Sequence, residues 1–369
     1  MRVLLTTPLL DKPGGVANYY KTLHDHLKAV VEYFTVGSRT PGHGSGADLM
    51  RVLKDYWHFY RQVKLHEPDL VHLNPSLGDK ALLRDGVFLI IAKLLRRRVV
   101  VFIRGWDFNC EQAIRKRYSF LFRLVYFRAD AFIVLASRFK SMLADLGYDK
   151  PIYLETTVVS NEAFSHERTR SVDARAGHER LNILFLSRVE RAKGVYEAVE
   201  AFGIVRAKYP CITMTVAGDG SELENLKAYV KSHGIENVKF VGWVSGEAKC
   251  DAFANADVYL FPSWGEGMPN SVIEAMAYGL SVITRPVGGI ADFFEDGKMG
   301  SLTESRDPDV LARLLEQLIE DPARRQAIAH YNRRFAKQHF AASVVAARLT
   351  DIYRKSIDSH RITGITAKR

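Results

Sequence analysis

Short apolar runs alternate with longer helical stretches along this sequence, and they do so in two separate series. The first places strands near residues 2–6, 31–36, 69–73, 99–103 and 131–135, with helical stretches among them to residue 146. The second places strands near 181–187, 211–217, 238–241, 257–261 and 281–284. Strand, helix, strand in steady succession is the pattern of a parallel sheet covered by its own crossover helices. Between the series lies Ser160 to Arg180, rich in charge and without periodicity, which reads as the link between domains. Two α/β domains are therefore expected, at 1–165 and 166–340. A closing segment, 341–369, holds a last helix from about Ala341 to Ser359. The halves share no sequence repeat, so the duplication is one of architecture only.

Composition narrows the class further. A chain of 369 residues, 47% hydrophobic and 25% charged, is globular and exceeds a single typical core. Its three cysteines, Cys110, Cys211 and Cys250, have no paired spacing, so neither a disulfide framework nor a zinc site is suggested. A cytoplasmic setting is expected, because no apolar run approaches the roughly 18 residues of a membrane span and the N-terminus does not read as a secretory leader. The net charge of +10 is uneven: residues 1–170 hold 26 Lys and Arg against 17 Asp and Glu, whereas 171–369 hold 26 against 25. In the first half, Arg96-Arg97-Arg98 and Arg115-Lys116-Arg117 precede Tyr118, Phe120, Phe122, Tyr126 and Phe127, a combination that suits an anionic membrane surface. For the aromatics core packing is the stronger reading, since the helical spacing of Phe120, Leu124 and Phe127 is more often that of a buried face, and the basic clusters fit solvated helix ends as well. Nucleic-acid binding is not expected, since no base-reading signature accompanies the charge.

The densest local signal is Gly265-Glu266-Gly267-Met268-Pro269-Asn270-Ser271-Val272-Ile273-Glu274-Ala275-Met276-Ala277-Tyr278-Gly279. It follows the apolar run Ala256 to Ser263 and so opens at a strand's carboxyl end, where open parallel sheets bind ligands. Pro269 and Ser271 favour a helix start, Asn270 or Ser271 is a candidate cap, and Gly279 stands where a left-handed stop is expected. Gly265 and Gly267 let the backbone approach a ligand, and the helix start offers N–H groups and partial positive charge to a diphosphate. Glu266 and Glu274 are acceptors only, each able to take two neighbouring hydroxyls. A phosphate cradle between two such carboxylates suits a nucleoside-diphosphate sugar. Spacing alone leaves open a plain glycine loop with Glu274 as a helix-dipole partner.

These residues resemble the Glu, seven residues, Glu pattern of the family 4 retaining glycosyltransferases, within Glu-Gly-x-Pro followed by Glu-Ala-Met-Ala-x-Gly. Three further stretches are similar in order: Leu186 to Gly194 with the strand-end Arg188 and Lys193, Ala217-Gly218-Asp219-Gly220, and the glycine loop Pro13-Gly14-Gly15-Val16. The resemblance implies the GT-B architecture: two facing Rossmann-like domains with parallel sheets and a last helix crossing back to the first domain. It implies a donor site of Gly14, Gly15, Gly218, Gly267, Met268, Pro269, Asn270 and Glu274. Arg188 and Lys193 would hold the diphosphate, Glu266 would anchor the sugar hydroxyls, and the anomeric configuration would be retained, by a front-face route in which the leaving phosphate oxygen takes the acceptor proton. The pattern departs at Arg104, where the family commonly has His against the donor sugar or its phosphate. Arg104 is permanently charged and no general base, yet it suits the leaving diphosphate or an anionic acceptor.

The chemistry required is stabilisation of a departing diphosphate, which fixed cations supply without a metal. No Asp-x-Asp pair stands at a strand end, and Asp307-Pro308-Asp309 reads as a helix entry. Asn74 and Asp107, at neighbouring strand ends of the first domain, are the candidate acceptor contacts, while His72 alternates with apolar residues and fits packing or function. Domain closure is expected to bring Gly14, Gly15 and Arg104 onto the donor and exclude water. A nicotinamide enzyme is the competing class, because Gly218-Asp219-Gly220 follows a strand. Leu223 replaces its third glycine, and the strand Val238 to Val241 ends without the acidic residue that grips a ribose. The expected function is thus transfer of a hexose-like sugar from a nucleotide-sugar donor to a glycan or lipid-linked acceptor, in cell-envelope polysaccharide or lipopolysaccharide biosynthesis. A nucleotide-sugar epimerase of the same fold and a non-catalytic nucleotide-sugar-binding protein are the alternatives.

Overall fold

The computed structural model describes residues 1–11, 14–36, 45–165 and 181–366. The chain divides into two compact units, Met1–Thr156 with Ala342–Arg369, and Thr157–Ala341. In chain order the first unit begins with β1 (Val3–Thr7), α1 (Gly15–Leu27), β2 (Val31–Thr35), α2 (Ser45–His66), β3 (Leu70–Leu73), β4 (Ser76–Leu77) and α3 (Asp79–Leu94). It continues through β5 (Arg98–Ile103), β6 (Gly105–Trp106), α4 (Phe108–Ala113), a π-helical turn, α5 (Ser119–Tyr126), β7 (Ala131–Val134), α6 (Ser137–Asp145) and β8 (Ile152–Leu154). The second unit holds α7 (Glu162–Ser165), β9 (Asn182–Leu186), α8 (Val195–Lys208), β10 (Thr213–Ala217), α9 (Leu223–Ser232), β11 (Val238–Gly242), α10 (Gly246–Ala254) and β12 (Val258–Phe261). Then follow α11 (Asn270–Ala277), β13 (Ser281–Thr284), α12 (Ile290–Phe293), β14 (Gly300–Leu302), α13 (Pro308–Glu320) and α14 (Pro322–Phe340), and α15 (Ala342–Thr366) rejoins the first unit.

Each unit is built on a six-stranded parallel sheet, ordered β2-β1-β3-β5-β7-β8 in the first and β11-β10-β9-β12-β13-β14 in the second. The central strands β3, β7, β12 and β13 are buried at every residue, as parallel strands covered on both faces must be. In the second sheet the winding direction reverses between β9 and β12, which pair through Val258 with Ile183 and Tyr259 with Leu184. The loops leaving those two strands therefore diverge over a crevice at their carboxyl ends. Helix entries follow local chemistry: Asp307 and Asp321 each cap a helix whose next residue is proline, accepting from Asp309 N–H and Arg324 N–H.

The ten strands read from the sequence are all present, whereas the edge strands β8 and β14, three residues each, escaped that reading. Residues 157–165, assigned above to the first domain, pack with the second, because the Val159 N–H donates to the Phe340 carbonyl and Val159 pairs with Ala341. Most of the linker read from Ser160 onward, residues 166–180, lies outside the described residues. The basic-aromatic stretch turns the other way from the core reading: Phe120 and Leu124 are exposed and Phe127 half-buried, while the neighbouring face of Phe122 and Tyr126 fills the core. Helix α15 packs on α1 and carries Arg348 to Glu155, whose side chain is fully buried, with Nε to Oε1 at 3.1 Å. A buried carboxylate without that partner would be strongly destabilising, so α15 is an integral part of the first unit. Among the described residues no helix is long and apolar enough to cross a membrane.

Candidate functional site

The reversal point of the second sheet gathers the residues singled out by sequence. After β9 the chain makes a short 3-10 turn, Arg191–Lys193, and enters α8 through Gly194 at φ 73°. A Cβ on Gly194 would lie 2.3 Å from the Pro262 carbonyl oxygen, so only glycine lets this turn pass against the loop after β12. The two loops are tied directly, since the Trp264 N–H donates to the Ala192 carbonyl. Lys193 Nζ thereby reaches Glu266 Oε1 at 2.6 Å, and Ser263 Oγ donates to the same oxygen at 2.8 Å. Both charged side chains are largely enclosed, at 13% and 14% exposure, which makes this an ion pair of low-dielectric surroundings.

Glu274 lies on α11, where Lys249 of α10 meets its Oε1 at 2.7 Å. Its Oε2 is buried and has no hydrogen-bond partner among the described residues. Helix α11 starts at Asn270 with Pro269 in the capping position, and no side chain caps it. The cap expected from Asn270 or Ser271 is therefore absent: both already lie in the first helical turn, and its amides are left to other partners. Gly279 ends the helix at φ 75° as expected, with the Leu280 N–H returning to the Ala275 carbonyl. On β12 the Tyr259 hydroxyl donates to the Leu186 carbonyl. Burial pushes its pKa well up, and the charges of Glu274 and Glu266 push the same way.

Other residues take places the sequence did not disclose. Arg188 is 62% exposed and pairs with Glu190 at 2.7 Å on its own turn. Gly218 tucks beneath the first loop, where a Cβ would sit 1.8 Å from the Ser187 carbonyl oxygen, so this glycine has a packing reason. The loop after β13 presses on the motif likewise: a Cβ on Gly288 would lie 2.1 Å from the Gly267 carbonyl oxygen, and the Gly289 N–H donates to that oxygen. Met268 is buried beside it. Ser263, Lys249 and Gly288 thus belong to the site although the sequence reading passed over them. Lys249 and Gly288 act across separate loops and leave no local pattern; Ser263 had a signal, a hydroxyl just beyond a strand's carboxyl end.

In the first unit the candidates divide. Gly14 and Gly15 open α1, and a Cβ on either meets nothing within 4 Å, so packing does not demand glycine there. Arg104, 9% exposed, follows β5 with its guanidinium carbon 3.6 Å from the Tyr19 ring centroid and 5.0 Å from that of Phe102. Its Nη1 is buried without a hydrogen-bond partner among the described residues. The Asp107 carboxylate, read from sequence as an acceptor contact, caps α4, accepting from Asn109 and Cys110 N–H. Asn74 is likewise engaged within the fold, its Nδ2 donating to the Thr6 carbonyl at 2.7 Å and its Oδ1 accepting from Tyr20. His72 is fully buried, with Nδ1 2.7 Å from the Tyr353 hydroxyl and Nε2 3.2 Å from that of Tyr20, and burial pushes its pKa down to about 3. It is a neutral packing residue. Among the described residues, no group of three His, Cys, Asp or Glu is placed to hold a metal. A surface groove of about 680 Å³ between the ends of α8 and α9 and the start of α13 contains none of the site residues, and its Arg206 and Glu236 pair with each other.

Residues 168–335 match the family model described as glycosyl transferases group 1. Among curated relatives, "Glycogen synthase" of Mycobacterium tuberculosis is 28% identical over 172 residues, 46% of this chain and 42% of the relative. "Capsular polysaccharide biosynthesis glycosyltransferase CapM" of Staphylococcus aureus is 30% identical over 183 residues, 48% of this chain and 47% of the relative. The chain thus spans a little under half the length of these relatives. Of solved structures, Anabaena Alr3699/HepE in complex with UDP and glucose superposes with a TM-score of 0.69 at 20% identity, covering 95% of this chain and 99% of that one. The fold is that of the GT-B glycosyltransferases.

Proposed function

We propose that this chain, whose second unit carries the group 1 glycosyl transferase domain, moves a hexose-like sugar from a nucleoside-diphosphate sugar to a glycan or lipid-linked acceptor. The observation that carries the reading is the enclosed Lys193–Glu266 pair at the reversal point of the sheet, with Glu274 one motif further on and one of its oxygens bare. A buried acceptor without a donor is unfavourable, and two ribose hydroxyls are suited to supply one. Glu266 anchors the sugar hydroxyls, Lys193 meets the charge that grows on the departing diphosphate, and Arg188 swings from Glu190 to the same phosphates. The open amides of α11 and of α1 at Gly14 and Gly15 suit phosphate oxygens. These cations stand in for a metal ion. Arg104, a buried guanidinium with an unused N–H, is the first unit's contribution to an anionic group on donor or acceptor. The likeness to a capsular polysaccharide enzyme favours cell-envelope polysaccharide or lipopolysaccharide assembly on the cytoplasmic side, with the first unit's basic helices toward an anionic membrane. Retention of anomeric configuration is part of the reading.

The test is thermal unfolding of the purified chain with UDP, GDP, ADP and NAD in parallel. A ligand at about 100 times its dissociation constant adds roughly 2.7 kcal/mol to the state that binds it. One nucleoside diphosphate is expected to stabilise the chain, and Glu274→Ala to abolish the effect; a shift with NAD alone overturns the reading. An epimerase would return an altered free nucleotide sugar and a sensor would return none, whereas a transferase releases the diphosphate together with a glycosylated acceptor. A product of inverted configuration sinks retention.

A further inference from the structure

We propose that the outer faces of α2, α3 and α5 form one surface that seats the first unit on an anionic bilayer, with Trp57, Leu83, Leu94, Phe120 and Leu124 entering the headgroup layer. Each helix carries more apolar surface than its core contact uses. On α5, Phe122 and Tyr126 fill the core, while Phe120 and Leu124 stand one turn apart on the outside at 77% and 49% exposure. On α3, Phe88 and Leu89 are buried, while Leu83 and Leu94 are 68% and 77% exposed. On α2, Phe59 and Val63 face inward, while Leu53 and Trp57 are exposed at adjacent turns. Helix α3 packs against both α2 and α5, so the three lie side by side. The exposed apolar residues of the second unit, Ile204 on α8, Val241 and Trp243 at the edge strand β11 and Trp264 on a loop, do not line adjoining helices.

Charge decides what this surface meets. Residues 45–66, 79–98 and 114–128 together hold 15 Lys and Arg against 4 Asp and Glu, an excess larger than the net charge of the whole chain. Some of these cations are paired, as Arg97 is with Glu67 and Lys93 with Asp130. Arg117 and Arg128, by contrast, bracket the outer stripe of α5 at one turn from either end, and Arg61 lies 4.8 Å from the exposed Trp57 ring centroid. A second copy of this chain would set one cationic face against another, which like-charge repulsion opposes. Nucleic acid would match the charge and leave the apolar stripes in water. Anionic lipid satisfies both, with aromatic and aliphatic tips at headgroup depth and cations above the phosphates. The surface rests on its own residues; what it adds to the transferase reading, that the acceptor is lipid-linked rather than a free glycan, depends on that reading.

The experiment is co-sedimentation of the full chain with phosphatidylcholine vesicles containing about 30 mol % phosphatidylglycerol, and with phosphatidylcholine alone, at low salt and in ~0.5 M NaCl. Binding is expected to the anionic vesicles only, to weaken in salt, and to fall roughly tenfold or more in Phe120→Glu/Leu124→Glu and in Lys116→Glu/Arg117→Glu. All four positions are exposed, so circular dichroism and the thermal midpoint should be those of the parent chain. Absence of binding at low salt, or undiminished binding by both variants, overturns the inference. So does a dimer in sedimentation that Phe120→Glu/Leu124→Glu converts to monomer. The thermal shift with UDP, GDP or ADP, measured on the same preparations, separates the two readings: a shift without vesicle binding removes only the membrane surface, and vesicle binding without a shift from any of the three removes only the transferase.

Discussion

Acid should loosen the first unit through one residue, His72. Its hydrogen-bond partners fix its state: Tyr20 donates to Asn74, so His72 Nε2 donates to Tyr20 and Nδ1 accepts from Tyr353. The ring is neutral and wholly buried, and burial, with a smaller contribution from the nearby Arg104 charge, pushes its pKa down to about 3, against an opposing hydrogen-bond effect from Asn74. In the unfolded chain it takes a proton near pH 6.5. Between those values the unfolded state binds more protons than the folded one, so the stability His72 contributes is complete above about pH 6.5 and is lost as pH falls toward 3. At pH 5, one and a half pH units below the unfolded value at ~1.36 kcal/mol per unit, the loss comes to about 2 kcal/mol. Carboxylates also titrate in this range, so the useful quantity is a double difference: urea unfolding of the parent chain and of His72→Gln, each at about pH 7.5 and pH 5. The variant will be the less stable at neutral pH, which identifies the transition of the first unit, and its deficit should shrink by about 2 kcal/mol in acid. Parallel pH dependence of the two proteins would show that His72 titrates alike in the folded and unfolded states, a deficit that grows in acid would show that it is charged in the fold, and either would refute the reasoning.

Four further outcomes follow from the second unit and the α1 entry. Lys193→Ala should lower kcat by about two to three orders of magnitude, as loss of a fixed partner to transition-state charge does, and should also lower the melting temperature because the enclosed Glu266 loses its cation; a rate within tenfold of the parent contradicts the role. Ser263→Ala removes one hydrogen bond to Glu266 and should reduce turnover by roughly five- to tenfold, about 1 kcal/mol, with a steady-state assay as the check. Turnover should be indifferent to EDTA, and a rate abolished by chelator and restored by a divalent ion would return the diphosphate to a metal. Gly288→Ala, forced toward the Gly267 carbonyl at φ 54°, should destabilise the second unit by about 2 kcal/mol or more, whereas Gly15→Ala, which meets open space, should leave the melting temperature unchanged and slow transfer.

The contrast between those glycines shows where sequence reasoning reaches its limit. Strands such as Val258–Phe261 and the helix stop at Gly279 were legible because their signals are local: an apolar run of fixed length, a residue free to take positive φ. Glu266 and Lys193 were legible as site residues for the same reason, each lying just beyond a strand's carboxyl end, but their direct pairing was not, because it is made by sheet order across 73 positions of sequence. Tertiary accidents decided the rest. Asn74, read as an acceptor contact, also stitches β1 to β3, and Asp107, read in the same way, also caps α4. Gly218 looked like a phosphate glycine, yet the Ser187 backbone alone suffices to require it. A glycine that packing explains is weak evidence for a ligand, and a glycine that packing leaves unexplained is stronger evidence. By that criterion Gly15 remains the better phosphate candidate, since the backbone at φ 159° already calls for glycine at Gly14, and Arg104, a buried cation with an N–H left without a partner among the described residues, is the side-chain counterpart of the same argument.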